Sequence, residues 1–212
     1  MREALYSWFR SMQLAWPILL KLAVLNIMVI IGSLLVVSIG PAVLAGYWYC
    51  ARVLRDEDFE AHPFLFFRAL WSLAGRGIAW LLLTVAVLFV AYSNLVLWAS
   101  ILPPAGATAV RLLMLYLVYL YFAIQPSLLE GLAVEGLGFR QSLAKAAWET
   151  LANPGFVHTQ PVIQIFAVFA GYQFTSFALL ILVASYLFFQ AVAAEVMPRK
   201  YPGSFDVAEG AS

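Results

Sequence analysis

A handful of side chains able to bond or ionise stand inside stretches that are otherwise apolar: Lys21, Asn26, Asn94, Gln125, Gln164 and Gln173, with Glu130 at the edge of such a stretch. Removing polar groups from water into hydrocarbon is costly, so inside a bilayer they pair, face a bundle interior or line a pathway. Lys21 lies about one helical turn into the first apolar run. Its four-carbon stem lets the ammonium reach back to the headgroups, and a place on a substrate path is the alternative. The amides suit interhelical hydrogen bonds, each worth ~0.6–2 kcal/mol, or contacts to a ligand. Catalytic patterns are missing. Glu130 and Glu135 sit where water can solvate a carboxylate. His62 and His158 fall in polar loops without a third ligand nearby, and no His-Glu-x-x-His, Walker loop, dinucleotide fingerprint or Gly-x-Ser-x-Gly elbow occurs. Cys50 is the single cysteine, which excludes an internal disulfide and a multi-cysteine metal site and reads as a packing residue. The residues point to no enzyme, no cofactor and no metal.

The elements that position these groups are membrane helices. Of 212 residues, 64% are hydrophobic and 11% charged, against ~25% charged in soluble domains. Such a chain cannot cover a water-facing globule, and its length is used up by several helices and their loops in one integral membrane domain over 1–212. Net charge is +1 with no basic run, which gives nucleic acid nothing to bind. Leu5, Phe9, Met12 and Trp16 form one helical stripe, an amphipathic lead-in at the membrane surface rather than a cleaved signal peptide.

Residues 12–50 carry one charge, Lys21, and are interrupted at Ser38-Ile39-Gly40-Pro41. About 20 apolar residues suffice to cross a bilayer, so a first span over 16–37 and a second over 41–54 are predicted, with a turn at Ser38 to Pro41. A third span over 77–102 ends at Pro103-Pro104-Ala105-Gly106, and a fourth covers 108–129. Short amphipathic surface helices are predicted at 62–76, through Phe64, Phe67, Leu70 and Trp71, and at 138–152. In the latter Phe139, Leu143, Ala147 and Leu151 face one way and Gln141, Lys145 and Glu149 the other. Asn153-Pro154-Gly155 ends that helix. The last apolar stretch, 161–196, would be ~54 Å long as one helix, so it is predicted to double back at 171–176.

Charge placement favours an all-α bundle of about six crossings, with five the alternative. With both termini cytoplasmic, every Lys and Arg except Lys21 and Arg111 lies inside, including Arg52 and Arg55. Trp8, Trp16, Trp71, Trp80 and Trp98 fall near span ends as interface anchors.

Asn26, the Ser38-Ile39-Gly40-Pro41 break, the following Ala42-Val43-Leu44-Ala45-Gly46-Tyr47, and Arg52, Arg55, Asp56 and Glu57 resemble the YesL family of bacterial integral membrane proteins of undefined function. Ser38 stands where the family has Thr. Phe66-Phe67-Arg68 and Asn153-Pro154-Gly155 fit more loosely. The resemblance implies the bacterial cytoplasmic membrane and a non-enzymatic accessory or assembly role beside solute, especially carbohydrate, uptake, with the bilayer and transporter subunits as partners. A fainter likeness lies in Glu130-Gly131-Leu132-Ala133-Val134-Glu135-Gly136 with Gln141, Leu143 and Lys145, which is similar to the coupling loop of ABC importer permeases. Gly131, Leu132 and Glu149 depart from that pattern. It implies a permease-like subunit docking a cytoplasmic ATPase through residues 130–152.

Overall fold

The computed structural model describes residues 2–55, 62–173 and 182–197. Within them the chain is all-helical: α1 (Arg2–Ala15), α2 (Leu19–Gly32), α3 (Ile39–Arg55), α4 (Pro63–Ser72), α5 (Ala74–Ser93), α6 (Ala99–Ile101), α7 (Pro104–Ala123), α8 (Gln125–Ala133), α9 (Phe139–Ala152), α10 (Pro154–Gln173) and α11 (Leu182–Val196). Among the described residues four stretches are long and apolar enough to cross a membrane: Leu5–Gly32, Val36–Arg55, Ala74–Trp98 and Pro104–Ala123. They make the chain a multi-pass type. Of the doubling back expected at 171–176, residues 171–173 are still helix at the end of α10, and residues 174–176 lie outside the described set, as do Asp56 and Glu57.

Local chemistry sets the boundaries. Pro63, Pro104 and Pro154 each open a helix, where a missing N–H costs nothing. The His62 Nδ1 accepts from the Phe64 N–H at 3.2 Å and caps α4. Pro126 splits the fourth predicted span: α7 stops at Ala123, and α8 carries Gln125 to Glu130 into the core. A π-helical stretch, Asn94–Trp98, ends α5. The Asn94 Nδ2 donates back to the Val90 carbonyl at 2.7 Å, so this amide serves its own helix and not a neighbour.

The first hairpin turns earlier than the sequence predicts. α2 ends at Gly32, a bend covers residues 33–35, a 3-10 turn covers Val36–Ser38, and the Ser38 hydroxyl donates to the Leu35 carbonyl at 2.7 Å. Gly40 and Pro41 already belong to α3 and are buried. They are a crossing point and not the turn. A Cβ on Gly40 would stand 2.0 Å from the Gly77 carbonyl oxygen, and one on Gly77 would stand 2.3 Å from the Pro41 nitrogen. The two backbones touch, and only glycine permits that approach.

α3 is the hub, packing against α2, α4, α5, α8 and α11. Leu25, Leu44, Tyr47, Phe66, Leu128 and Leu187 anchor the core around it. Three amphipathic helices show which of their faces packs inward. In α1 Leu5, Phe9 and Met12, with Trp16 just beyond it, are exposed, while Ser7 and Ser11 are buried. In α4, Phe64, Phe67 and Trp71 are exposed, while Phe66, Ala69 and Leu70 pack inward. α4 therefore lies against α2 and α3 rather than apart on a surface; a Cβ on Gly32 would meet Leu70 Cδ1 at 2.9 Å. In α9 the buried residues are Ser142, Lys145, Ala146 and Glu149, with Trp148 and Leu151 outside. Apolar surroundings invert the usual rule: hydrophobic side chains meet lipid, and small or polar ones meet protein.

Candidate functional site

α3 places Tyr47 and Arg55 eight residues apart, about 12 Å along the axis, and both side chains converge on Glu130 of α8. The Tyr47 hydroxyl donates to Glu130 Oε2 at 2.9 Å, and Arg55 Nη2 donates to Oε1 at 2.7 Å. The Arg55 Nε reaches Glu195 of α11 at 3.2 Å. The Glu130 side chain is 4% exposed, against 28% for Arg55 and 33% for Glu195. One guanidinium thus ties three helices, and the most buried carboxylate has both oxygens bonded. A buried charge is tolerable only with such compensation. Arg52, one turn before, is exposed and lies over the Trp48 ring at 5.5 Å, a cation–π contact.

Other polar joints surround this one. Trp80 Nε1 on α5 donates to Gln125 Oε1 at 3.0 Å, and Gln125 Nε2 donates to the Tyr121 carbonyl at 3.3 Å. The hydroxyls of Thr84 and Tyr121 meet at 2.5 Å. The Asn26 Oδ1 on α2 accepts from the Ala184 N–H at 3.2 Å, capping the first turn of α11 from another helix. Lys145 pairs with Glu135 and lies 3.8 Å from Glu149, so one ammonium serves two carboxylates at the inward face of α9. Arg76 Nη1 donates to the Leu132 carbonyl at 3.2 Å near the end of α8, where a cation meets the negative end of the helix dipole. Gly136, at φ 71°, lets the chain reverse there, and the Leu137 N–H reaches the Gly131 carbonyl at 2.9 Å.

The structure brings together Arg55 and Glu130, and it gives Asn26 and Gln125 partners on other helices. Lys21 is exposed. Gln164 is buried with its Nε2 unpartnered; the Gln173 side chain lies outside the described set. Trp80 is turned into the bundle rather than anchoring at an interface, whereas Trp16, Trp71 and Trp98 are exposed. Sequence reasoning missed Tyr47 and Glu195 as members of the joint. Opposite charges assigned to one membrane edge were the available signal; nothing local specified their pairing. The arrangement contains no activated nucleophile, and no group of three His, Cys, Asp or Glu that could hold a metal occurs among the described residues. An apolar groove of about 730 Å³ runs between α5, α7, α9 and α10, bordered by Leu83, Val87, Met114, Leu117, Leu151 and His158.

No family model matches the chain, and neither does any curated protein or solved structure.

Proposed function

We propose that this chain is a non-enzymatic, YesL-like protein of the bacterial cytoplasmic membrane, crossing it six times with both termini inside, and that it serves as an accessory or assembly partner of a solute-uptake system. The observation that carries this reading is that the charged groups inside the bundle are engaged with one another. Arg55, Glu130 and Glu195 lock α3, α8 and α11, and Lys145 answers Glu135 and Glu149. A conduit for ions or a catalytic centre needs charged groups with open valences; a scaffold does not. The surface left for a partner is lateral and apolar, with Leu82, Val85 and Phe89 of α5 and Leu112 and Leu115 of α7 exposed. A partner on that side is another membrane-embedded subunit, and carbohydrate uptake is the process the YesL likeness favours.

The ABC-permease reading has less geometric support. Its docking glutamate would be Glu130, which faces Tyr47 and Arg55 inside the bundle. Affinity purification in mild detergent separates the two. An accessory protein brings integral transporter subunits with it, and substitutions over 136–147 leave them bound. A permease subunit brings a cytoplasmic ATPase that those substitutions release.

A further inference from the structure

The apolar groove between α5, α7, α9 and α10 has a volume of about 730 Å³, within the range of small-molecule sites. It follows α5 from Leu83 to Ala91 and α7 from Ile124 back to Met114. At 1.5 Å per residue those stretches are about 12–15 Å long, the depth of one leaflet of a ~30 Å hydrocarbon core. α5 and α7 both belong to stretches long and apolar enough to cross a membrane. Val90, Leu117 and Leu151 on its walls are exposed, so the groove is open to the surrounding lipid. Its hydroxyls are largely engaged within the protein. The Thr150 Oγ1 donates to the Ala146 carbonyl at 2.7 Å, and the Tyr121 hydroxyl meets that of Thr84. On the α10 side the Tyr119 hydroxyl donates to the His158 carbonyl, and the two rings stack 6.0 Å apart.

α9 closes one end of the groove with Leu143, Ala147 and Leu151. Arg140 lies three residues before Leu143, on the same helical face and ~4.5 Å further along the axis. It is exposed and, among the described residues, bonds to no other side chain, whereas Lys145 on the inward face is taken by Glu135 and Glu149. We propose that this groove is a lipid site, holding one acyl chain of an anionic phospholipid from the bilayer with its phosphate at Arg140. The chain needs apolar walls one leaflet deep and no hydrogen bonds, and a guanidinium is the side chain that best matches a phosphate. A partner helix fits less well: ~10 Å across, it would need roughly 1,000 Å³ over the same length. The inference goes beyond the accessory role and does not depend on it, since a scaffold or a permease could carry such a site.

Native mass spectrometry of the full chain tests it, after incubation in mild detergent with equal amounts of phosphatidylglycerol and phosphatidylethanolamine. The wild-type protein keeps one lipid, and favours the anionic one about fivefold, as one basic residue near a headgroup allows. Arg140→Gln keeps the single adduct and loses the preference. Ala147→Trp, which puts an indole into the groove from an exposed position, abolishes the adduct of either lipid. If that variant fails to fold, Ala86→Phe fills the groove from α5 with the same result. A folded groove-filling variant that retains lipid as the wild type does overturns the site, as does an undiminished anionic preference in Arg140→Gln. A dimer that Ala147→Trp separates overturns it too, because the occupant is then a second copy of the chain.

Discussion

Arg55 Nη2 stands 2.7 Å from Glu130 Oε1, and the same guanidinium stands 3.2 Å from Glu195 through its Nε. The two carboxylates differ in what they need. Glu130 is buried and keeps Tyr47 as its other donor; Glu195 is one-third exposed. Removing one partner of a buried pair costs more than the pair contributes, because the survivor stays buried and charged.

Arg55→Ala therefore costs about 2–4 kcal/mol of stability, below the fully buried limit because Arg55 is part-exposed. Glu195→Gln costs about 0–1 kcal/mol, the range for exposed pairs. Adding Glu130→Leu to Arg55→Ala restores part of the loss, since the stranded carboxylate is gone. Thermal unfolding in detergent checks the order; a Glu195→Gln loss equal to that of Arg55→Ala contradicts it.

The Gly40–Gly77 crossing gives a sharper contrast. Gly40→Ala or Gly77→Ala forces apart backbones already in contact, so either abolishes accumulation of folded protein. A Cβ on Gly75, two residues away, meets nothing within 4 Å, and Gly75→Ala gains about 0.5–1 kcal/mol from helix propensity. Yield and melting temperature of the three single variants decide; folded Gly40→Ala protein with an unchanged melting temperature would remove the crossing from the account.

The helices were legible in the sequence, and most of their faces were not. Periodicity located α9 within a residue of 138–152, and Pro-Pro-Ala-Gly located the α6–α7 turn. Leu5, Phe9, Met12 and Trp16, read as a stripe on a surface helix, are exposed beside buried serines, but nothing in the pattern of α9 says that Lys145 and Glu149 point inward while Gln141 stays exposed. An amphipathic pattern marks two faces without saying which one meets the solvent. Where the solvent is hydrocarbon the assignment reverses. The joint was hidden for a different reason: Arg55 and Glu130 are 75 positions apart, and no local rule spans that distance. Gly40-Pro41 looked like a turn because glycine before proline so often makes one, whereas here the glycine admits another backbone.

The inward packing of Lys145 and Glu149 on α9 has a direct spectroscopic consequence. A spin label at Leu151 collides freely with oxygen and weakly with a water-soluble nickel reagent, whereas a label at Lys145 is sheltered from both. Strong nickel broadening at Leu151 would place that face in water.

Gln125 joins α5 to the α7–α8 corner through Trp80. Gln125→Leu costs about 0.6–2 kcal/mol, the range for interhelical hydrogen bonds, and Trp80→Phe adds little on top of it because both changes break one bond. Additive losses in the double variant would show that the two residues act separately.

The claim that matters most is that the lateral apolar surface of α5 and α7 meets a transporter subunit inside the membrane. Photo-crosslinking residues introduced at Phe89 and Leu112 in native membranes, followed by mass spectrometry, test it most directly. The account predicts discrete adducts with one or more integral subunits of a solute-uptake system, absent when the same residue replaces Lys145. Adducts with lipid alone at both positions, alongside an ATPase crosslinked through the 136–147 segment, would contradict it.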